Sequence, residues 1–255
     1  MTGAPVAALL LDGVSKRFGE QLALDAVTLR VEPGGFLGLL GRNGAGKTTA
    51  ISIATGLLPP TSGRALVLGL DVEREPLAVK RRIGVMPQQE GLLELLTGLQ
   101  YLRFAGRLHG LPRAEVDRRA AELLDTLELA PGPGVLVRDY SYGMRKKLAL
   151  AAALLHGPEM IFLDEPFEGL DPLAARTVRD LLARLRARGV TLLMSSHGLD
   201  LVARLCDEVA ILEQGRLVAH GTLEELRQRH GDFADLEELF VRLHGGPRRG
   251  ELSWL

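Results

Sequence analysis

The stretch Phe36-Leu37-Gly38-Leu39-Leu40-Gly41-Arg42-Asn43-Gly44-Ala45-Gly46-Lys47-Thr48-Thr49 joins an apolar run directly to the pattern G-x-x-x-x-G-K-[ST]. The run reads as a buried strand, and Thr49 to Thr55, closed by Gly56, reads as the helix that follows. Strand, glycine-rich turn and helix in this order make a phosphate-binding loop. Gly41, Gly44 and Gly46 let the main chain approach phosphate oxygens where a Cβ would collide. Main-chain N–H groups of the loop and the start of the helix turn partial positive charge toward an anion. Lys47 adds a full charge for the β- and γ-phosphates, and the Thr48 hydroxyl is a candidate ligand of Mg²⁺. The loop therefore predicts a bound nucleoside triphosphate, held by Gly41, Asn43, Gly44, Ala45, Gly46, Lys47, Thr48 and Thr49.

The rest of the chain is compatible with that reading and excludes others. Its 255 residues suffice for one sizeable α/β domain with a smaller attached lobe. A net charge of −1 with 25% charged residues gives no sign of a nucleic-acid partner or of direct binding to an anionic membrane. Cys206 is the single cysteine, which suits a reducing compartment. Met1-Thr2-Gly3-Ala4-Pro5 lacks the basic start of a signal peptide, and no apolar run approaches the ~20 residues that span a bilayer.

Short β-like runs broken by Gly and Pro occupy the chain from Ala7 to about Gly69, among them Ala8–Leu11, Val27–Val31 and Arg64–Leu68. After Gln88 the pattern turns helical through about His156, with a helix–helix connection at Leu111-Pro112-Arg113. Strand and helix then alternate: Met160–Leu163, Leu173–Arg188 ended by Gly189, and Val190–Met194. The tail from Thr222 is helical and then polar, with a frayed end at Gly245-Gly246-Pro247-Arg248-Arg249-Gly250.

A second element narrows the chemistry. Met160-Ile161-Phe162-Leu163-Asp164-Glu165-Pro166 delivers two carboxylates at the carboxyl end of an apolar strand, where open parallel sheets bind ligands. Asp164 suits Mg²⁺, and Glu165 suits orienting or deprotonating the attacking water. Ser141, in Tyr140-Ser141-Tyr142-Gly143-Met144, is placed as the N-cap of a helix from Arg145 to Leu155, and a helix amino terminus is itself an anion site.

Six motifs in one order resemble the ATP-binding subunit of an ABC transporter across essentially the whole chain. They are the phosphate loop, Gln88 in Met86-Pro87-Gln88, Ser141-Tyr142-Gly143-Met144, Ile161–Glu165, Gly169-Leu170-Asp171-Pro172, and Ser195-Ser196-His197. The resemblance implies a P-loop NTPase (RecA-like) α/β core with an antiparallel β subdomain and an inserted α-helical subdomain. Residues 1–89 and 158–222 would form the catalytic lobe, 90–157 the helical lobe and 223–255 a helical tail. It implies ATP and Mg²⁺ as ligands, with Thr48, Gln88 and Asp164 at the metal. Glu165, His197, Gln88 and Lys47 would carry the hydrolysis. Phe18 would stack on adenine, against the competing reading of simple core packing. Ser141, Gly143 and Asp171 would serve a site completed by a second copy or a related ATPase subunit. His109, His156, His220, His230 and His244 are read as structural or surface residues. Tyr142 stands where glycine is more frequent in the family, and Arg42 and Phe167-Glu168 also vary.

The segment Glu90–Thr97, with Tyr101, Phe104 and His109-Gly110-Leu111, resembles the branch coupled to ABC-2 type permeases, which are exporters. The implied partner is an integral-membrane permease, and the implied location is cytoplasmic, on the inner face of the cell membrane through that partner. The leucines after Gln88 read singly as core of the helical lobe; the competing reading lines a groove for the permease with them. An importer subunit and a soluble non-transport ABC ATPase are the alternatives, although the latter usually carries two cassettes or long insertions. A generic P-loop kinase or GTPase is disfavoured by the Ser141–Met144 motif and His197.

Overall fold

The computed structural model describes residues 6–89, 91–132 and 134–243. Met1–Pro5, Glu90, His244 and the Gly245–Gly250 tail, on which expectations above fall, lie outside the described residues.

The chain begins with β1 (Leu9–Phe18), β2 (Gln21–Val31), β3 (Phe36–Leu40), α1 (Lys47–Ala54), β4 (Ser62–Val67), β5 (Leu70–Asp71), α2 (Pro76–Arg82) and β6 (Ile83–Met86). Three helices follow, α3 (Gly98–Leu108), α4 (Arg113–Thr126) and α5 (Tyr142–Leu154), the last preceded by a 3₁₀ turn at Val137–Asp139. The remainder is β7 (Met160–Asp164), α6 (Pro172–Ala187), β8 (Thr191–Ser196), α7 (Leu199–Leu205), β9 (Glu208–Glu213), β10 (Arg216–Gly221), α8 (Leu223–His230) and α9 (Leu236–Leu243).

Two sheets result. An antiparallel sheet runs β2-β1-β4-β5, and a six-stranded sheet runs β10-β9-β3-β8-β7-β6. In the larger sheet β9, β3, β8, β7 and β6 are parallel and β10 adds an antiparallel edge. Strands β3, β7 and β8 are buried at every residue, as a parallel sheet covered on both faces requires. Alternate side chains therefore feed two cores. Phe36, Leu40, Ile161, Leu163 and Met194 pack with α3–α7, whereas Leu37, Leu39, Phe162 and Leu193 pack with α1 and the antiparallel sheet. Gly38 permits one close approach: a Cβ there would lie 2.3 Å from Val202 Cγ1, so α7 could not sit against β3.

Helix starts follow local chemistry. Ser141 caps α5, Asp171 caps α6 with Pro172 in its first turn, and Thr97–Gln100 and Thr222–Glu225 form capping boxes on α3 and α8. Three expectations are corrected. The helical reading from Gln88 to His156 is broken over 91–97 and, apart from the 3₁₀ turn at Val137–Asp139, over 128–132 and 134–141; Glu128 has φ 50 and Gly134 φ 77. Leu68 leaves the strand for a two-residue turn with Gly69, at φ 51 and 79, which closes the β4–β5 hairpin. Leu93 and Leu95 are not core, being 43% and 74% exposed, because they precede α3 in a loop rather than lying on a helix face.

His109 and His156 stack with ring centroids 3.7 Å apart between the helical lobe and β6, and His156 Nε2 donates to the Ile83 carbonyl at 2.9 Å. Burial, and then the neighbouring His109, pull the His156 pKa down to about 4. A histidine whose folded pKa is depressed supports the fold above its unfolded value near 6.5 and withdraws that support as pH falls toward about 4. His156→Gln, which keeps a donor for Ile83, should flatten the fall in melting temperature across that window. An unchanged pH profile would remove His156 as its source.

Candidate functional site

The phosphate loop takes the shape its glycines allow. Gly46 precedes α1 at φ 107, and a Cβ there would lie 2.7 Å from both the Ala23 carbonyl oxygen and Leu24 Cδ2. Lys47 is 8% exposed, and its Nζ donates to the carbonyls of Gly41 at 2.7 Å and Arg42 at 3.4 Å. Asn43, Gly44 and Thr48 are exposed on the open side of the loop. The loop forms one wall of a cleft of about 550 Å³ that Phe18, Gln21, Ala23, Gln88, Asp164 and Glu165 also line. Phe18 is 48% exposed with Lys16 Nζ 5.3 Å from its ring centroid, so the core-packing reading falls.

Strand β7 ends by pushing Asp164 and Glu165 into this cleft, 3% and 7% exposed. The parallel register sets Asp164 beside Ser195 of β8. Ser195 Oγ donates to Asp164 Oδ1 and accepts the Glu165 main-chain N–H at 3.0 Å. Glu165 has φ 50, a left-handed conformation uncommon outside glycine. Its Oε2 accepts from His197 Nδ1 at 3.0 Å, and its Oε1 lies 4.0 Å from Lys47 Nζ. Gln88 Nε2 donates to Glu168 Oε2 at 3.2 Å. Lys47, Arg42, Asp164 and Glu165 thus line a glycine cradle, with the His197 imidazole bonded to Glu165, a fit for the phosphates of a nucleotide. Thr48, Asp164 and Gln88 line the same cleft and offer the oxygen ligands that Mg²⁺ prefers.

Five of the expected site residues do not line the cleft: Gly41, whose carbonyl accepts from Lys47, His197, which is bonded to Glu165, and Ser141, Gly143 and Asp171, which stand apart. Ser141 Oγ accepts the Met144 N–H at 3.2 Å, and Asp171 Oδ1 accepts the N–H groups of Leu173 and Ala174 at 2.9 Å. Tyr142 is 40% exposed and its ring lies on the Gly169–Pro172 motif, the D-loop, where a Cβ on Gly169 would meet Tyr142 Cε1 at 2.4 Å. Sequence reasoning missed Gln21, Ala23 and Lys146, and quoted Ser195 within a motif without giving it a role. That role was readable only from the pairing of β7 with β8, and Lys146 looks like any solvated basic residue in Arg145-Lys146-Lys147.

Comparison with known proteins agrees with this geometry. A family profile described as ABC transporter matches residues 24–168. The daunorubicin resistance ATP-binding protein DrrA3 of Streptomyces coeruleorubidus is 44% identical over 224 residues, covering 88% of this chain and 71% of its own. A solved ATP-binding subunit of an ABC transporter superposes with a TM-score of 0.87 at 35% identity, over 93% of this chain and 99% of its own. A dimeric ATP-binding cassette in a post-hydrolysis state with ADP and Pi gives 0.78 at 28% identity, over 84% and 98%. The P-loop NTPase-type α/β fold, the cleft and these likenesses together make the chain a member of the ABC transporter family, as an ATP-binding subunit.

Proposed function

We propose that the chain hydrolyses ATP in a head-to-tail dimer and so drives export through a separate integral-membrane permease of the ABC-2 type. The observation that carries the proposal is that Lys47, Asp164 and Glu165 converge on one cleft, with His197 bonded to Glu165, while Ser141 and Gly143 lie outside it. In this reading the Phe18 ring stacks on adenine, loop N–H groups and Lys47 hold the phosphates, and Glu165 takes a proton from the attacking water as the bond to the γ-phosphoryl group breaks. His197 holds the Glu165 carboxylate and reaches the γ-phosphate. Bound Mg²⁺, on Thr48 and Asp164 with Gln88 nearby, would neutralise charge between the β- and γ-phosphates. Ser141 and Gly143 of a second copy close over the γ-phosphate, and Asp171 helps to join the two sites.

The dimeric relative with ADP and Pi supports a shared site, and the drug-resistance relative supports export. No helix among the described residues is long and apolar enough to cross a membrane, so the proposal assigns the transport path to a partner. The exposed Leu93, Leu95 and Phe104 of the helical lobe suit contact with that permease. With purified chain, turnover per subunit should rise with protein concentration, and the chain should capture an integral-membrane protein from detergent-solubilised membranes. Turnover that is independent of concentration in a species that stays monomeric with ATP would overturn the shared site.

A further inference from the structure

Lys146 on α5 is 1% exposed, although the flanking Arg145 and Lys147 are only half-buried. Lysine is seldom buried this completely, and its ammonium must then find acceptors. Nζ donates to the Glu165 main-chain carbonyl at 3.0 Å and approaches the Gln88 carbonyl at 3.5 Å. It also sits 5.5 Å from the centroid of the Tyr142 ring, whose face favours a cation. One side chain of the helical lobe thus touches the main chain of Glu165, read above as the base that takes the proton from water, and of Gln88, read above as lying near the metal. The Glu165 contact matters because that residue is left-handed, at φ 50, and needs its surroundings to keep it so. Ser195 Oγ holds its N–H at 3.0 Å, and Lys146 holds its C=O.

We propose that Lys146 is a positioning residue: from beneath Tyr142 it clamps the main chain of Glu165 and of Gln88, and so aims the catalytic carboxylate. The helix that presents Ser141 to a second copy is then the same helix that holds Glu165. Closure of the dimer on Ser141 is felt at the base through a single ammonium. This gives Tyr142 a task where a glycine is more usual: its ring covers both the D-loop at Gly169 and the buried charge. The proposal rests on Glu165 being the general base.

The test uses the full chain with Lys146→Met, which keeps length and volume without charge, beside Lys146→Arg and Glu165→Gln. A misplacement of the order of an ångström costs catalysis about 100-fold, so Lys146→Met should lower kcat by that factor. Its affinity for ATP should stay within about twofold of the parent, since no interaction with ATP is lost. Lys146→Arg, which can serve both carbonyls, should recover at least about tenfold of the loss. A Lys146→Met turnover within about threefold of the parent, a matching fall in ATP affinity, or no recovery with Arg would each overturn the role. If Lys146→Met does not fold, Lys146→Gln is measured by the same kcat and affinity comparison against Arg. Loss of turnover in Glu165→Gln alone removes the role of Lys146. Parent turnover in Glu165→Gln removes the general-base reading, and this proposal with it.

Discussion

Glu165→Gln is expected to lower ATP turnover by about 10²–10⁴-fold, the range for loss of a positioned general base, while ATP still binds. The substitution is close to isosteric, and the groups that set the backbone of residue 165 are untouched. Ser195 Oγ accepts its N–H and Lys146 Nζ donates to its carbonyl, both main-chain contacts. His197 Nδ1, 3.0 Å from Oε2, retains an acceptor if the amide oxygen faces it. What disappears is the ability to take a proton from water. If two copies close over ATP, a chain that binds but cannot hydrolyse should stay closed, so Glu165→Gln should elute as a dimer with ATP and as a monomer with ADP. Size-exclusion chromatography and phosphate release read the two effects separately. Turnover equal to the parent would sink the role assigned to Glu165.

Lys47→Ala should fail earlier, at binding. The lysine is nearly buried, and its ammonium spans the carbonyls of Gly41 and Arg42 at the centre of the loop. In ATP binding those contacts would give way to phosphate oxygens. A charge-assisted hydrogen bond contributes about 1.5–3 kcal/mol. With a tenfold change for every ~1.4 kcal/mol, loss of two such bonds weakens ATP binding at least about 100-fold. Calorimetric titration with ATP checks this, and an affinity within about threefold of the parent would exclude Lys47 from the phosphate site. The pair of variants separates two stages. Lys47→Ala should form no ATP-dependent dimer, whereas Glu165→Gln should accumulate one.

The two predictions differ in how far the sequence alone supports them. Strand β3, the loop and α1 are contiguous, so apolar run, glycine spacing and helix start all lie in one window and were legible. Asp164 and Glu165 were legible for the same reason, at the end of an unbroken apolar strand. The burial of Lys146 and the part played by Ser195 were not. Both come from segments 19 or more residues away, Glu165 and Gln88 for the lysine and Asp164 for the serine, and no local pattern encodes that meeting. Leu93 and Leu95 misled, although Leu92 does pack on the core, because an apolar stripe implies a core only when a helix carries it, and α3 starts later, at Gly98. Nor does any sequence pattern indicate the left-handed backbone of Glu165, since neither glycine nor asparagine stands there to announce it.

That backbone sets durability against work at a single position. A non-glycine residue at φ 50 carries a strain of about 1–3 kcal/mol, and glycine or asparagine would relieve much of it. Screening variants for heat resistance alone should therefore enrich replacements at 165 that no longer hydrolyse ATP. The same asymmetry makes the position diagnostic. In a related chain that pairs with an active subunit, glycine or asparagine there would mark a copy that has relaxed its fold and kept only the task of binding.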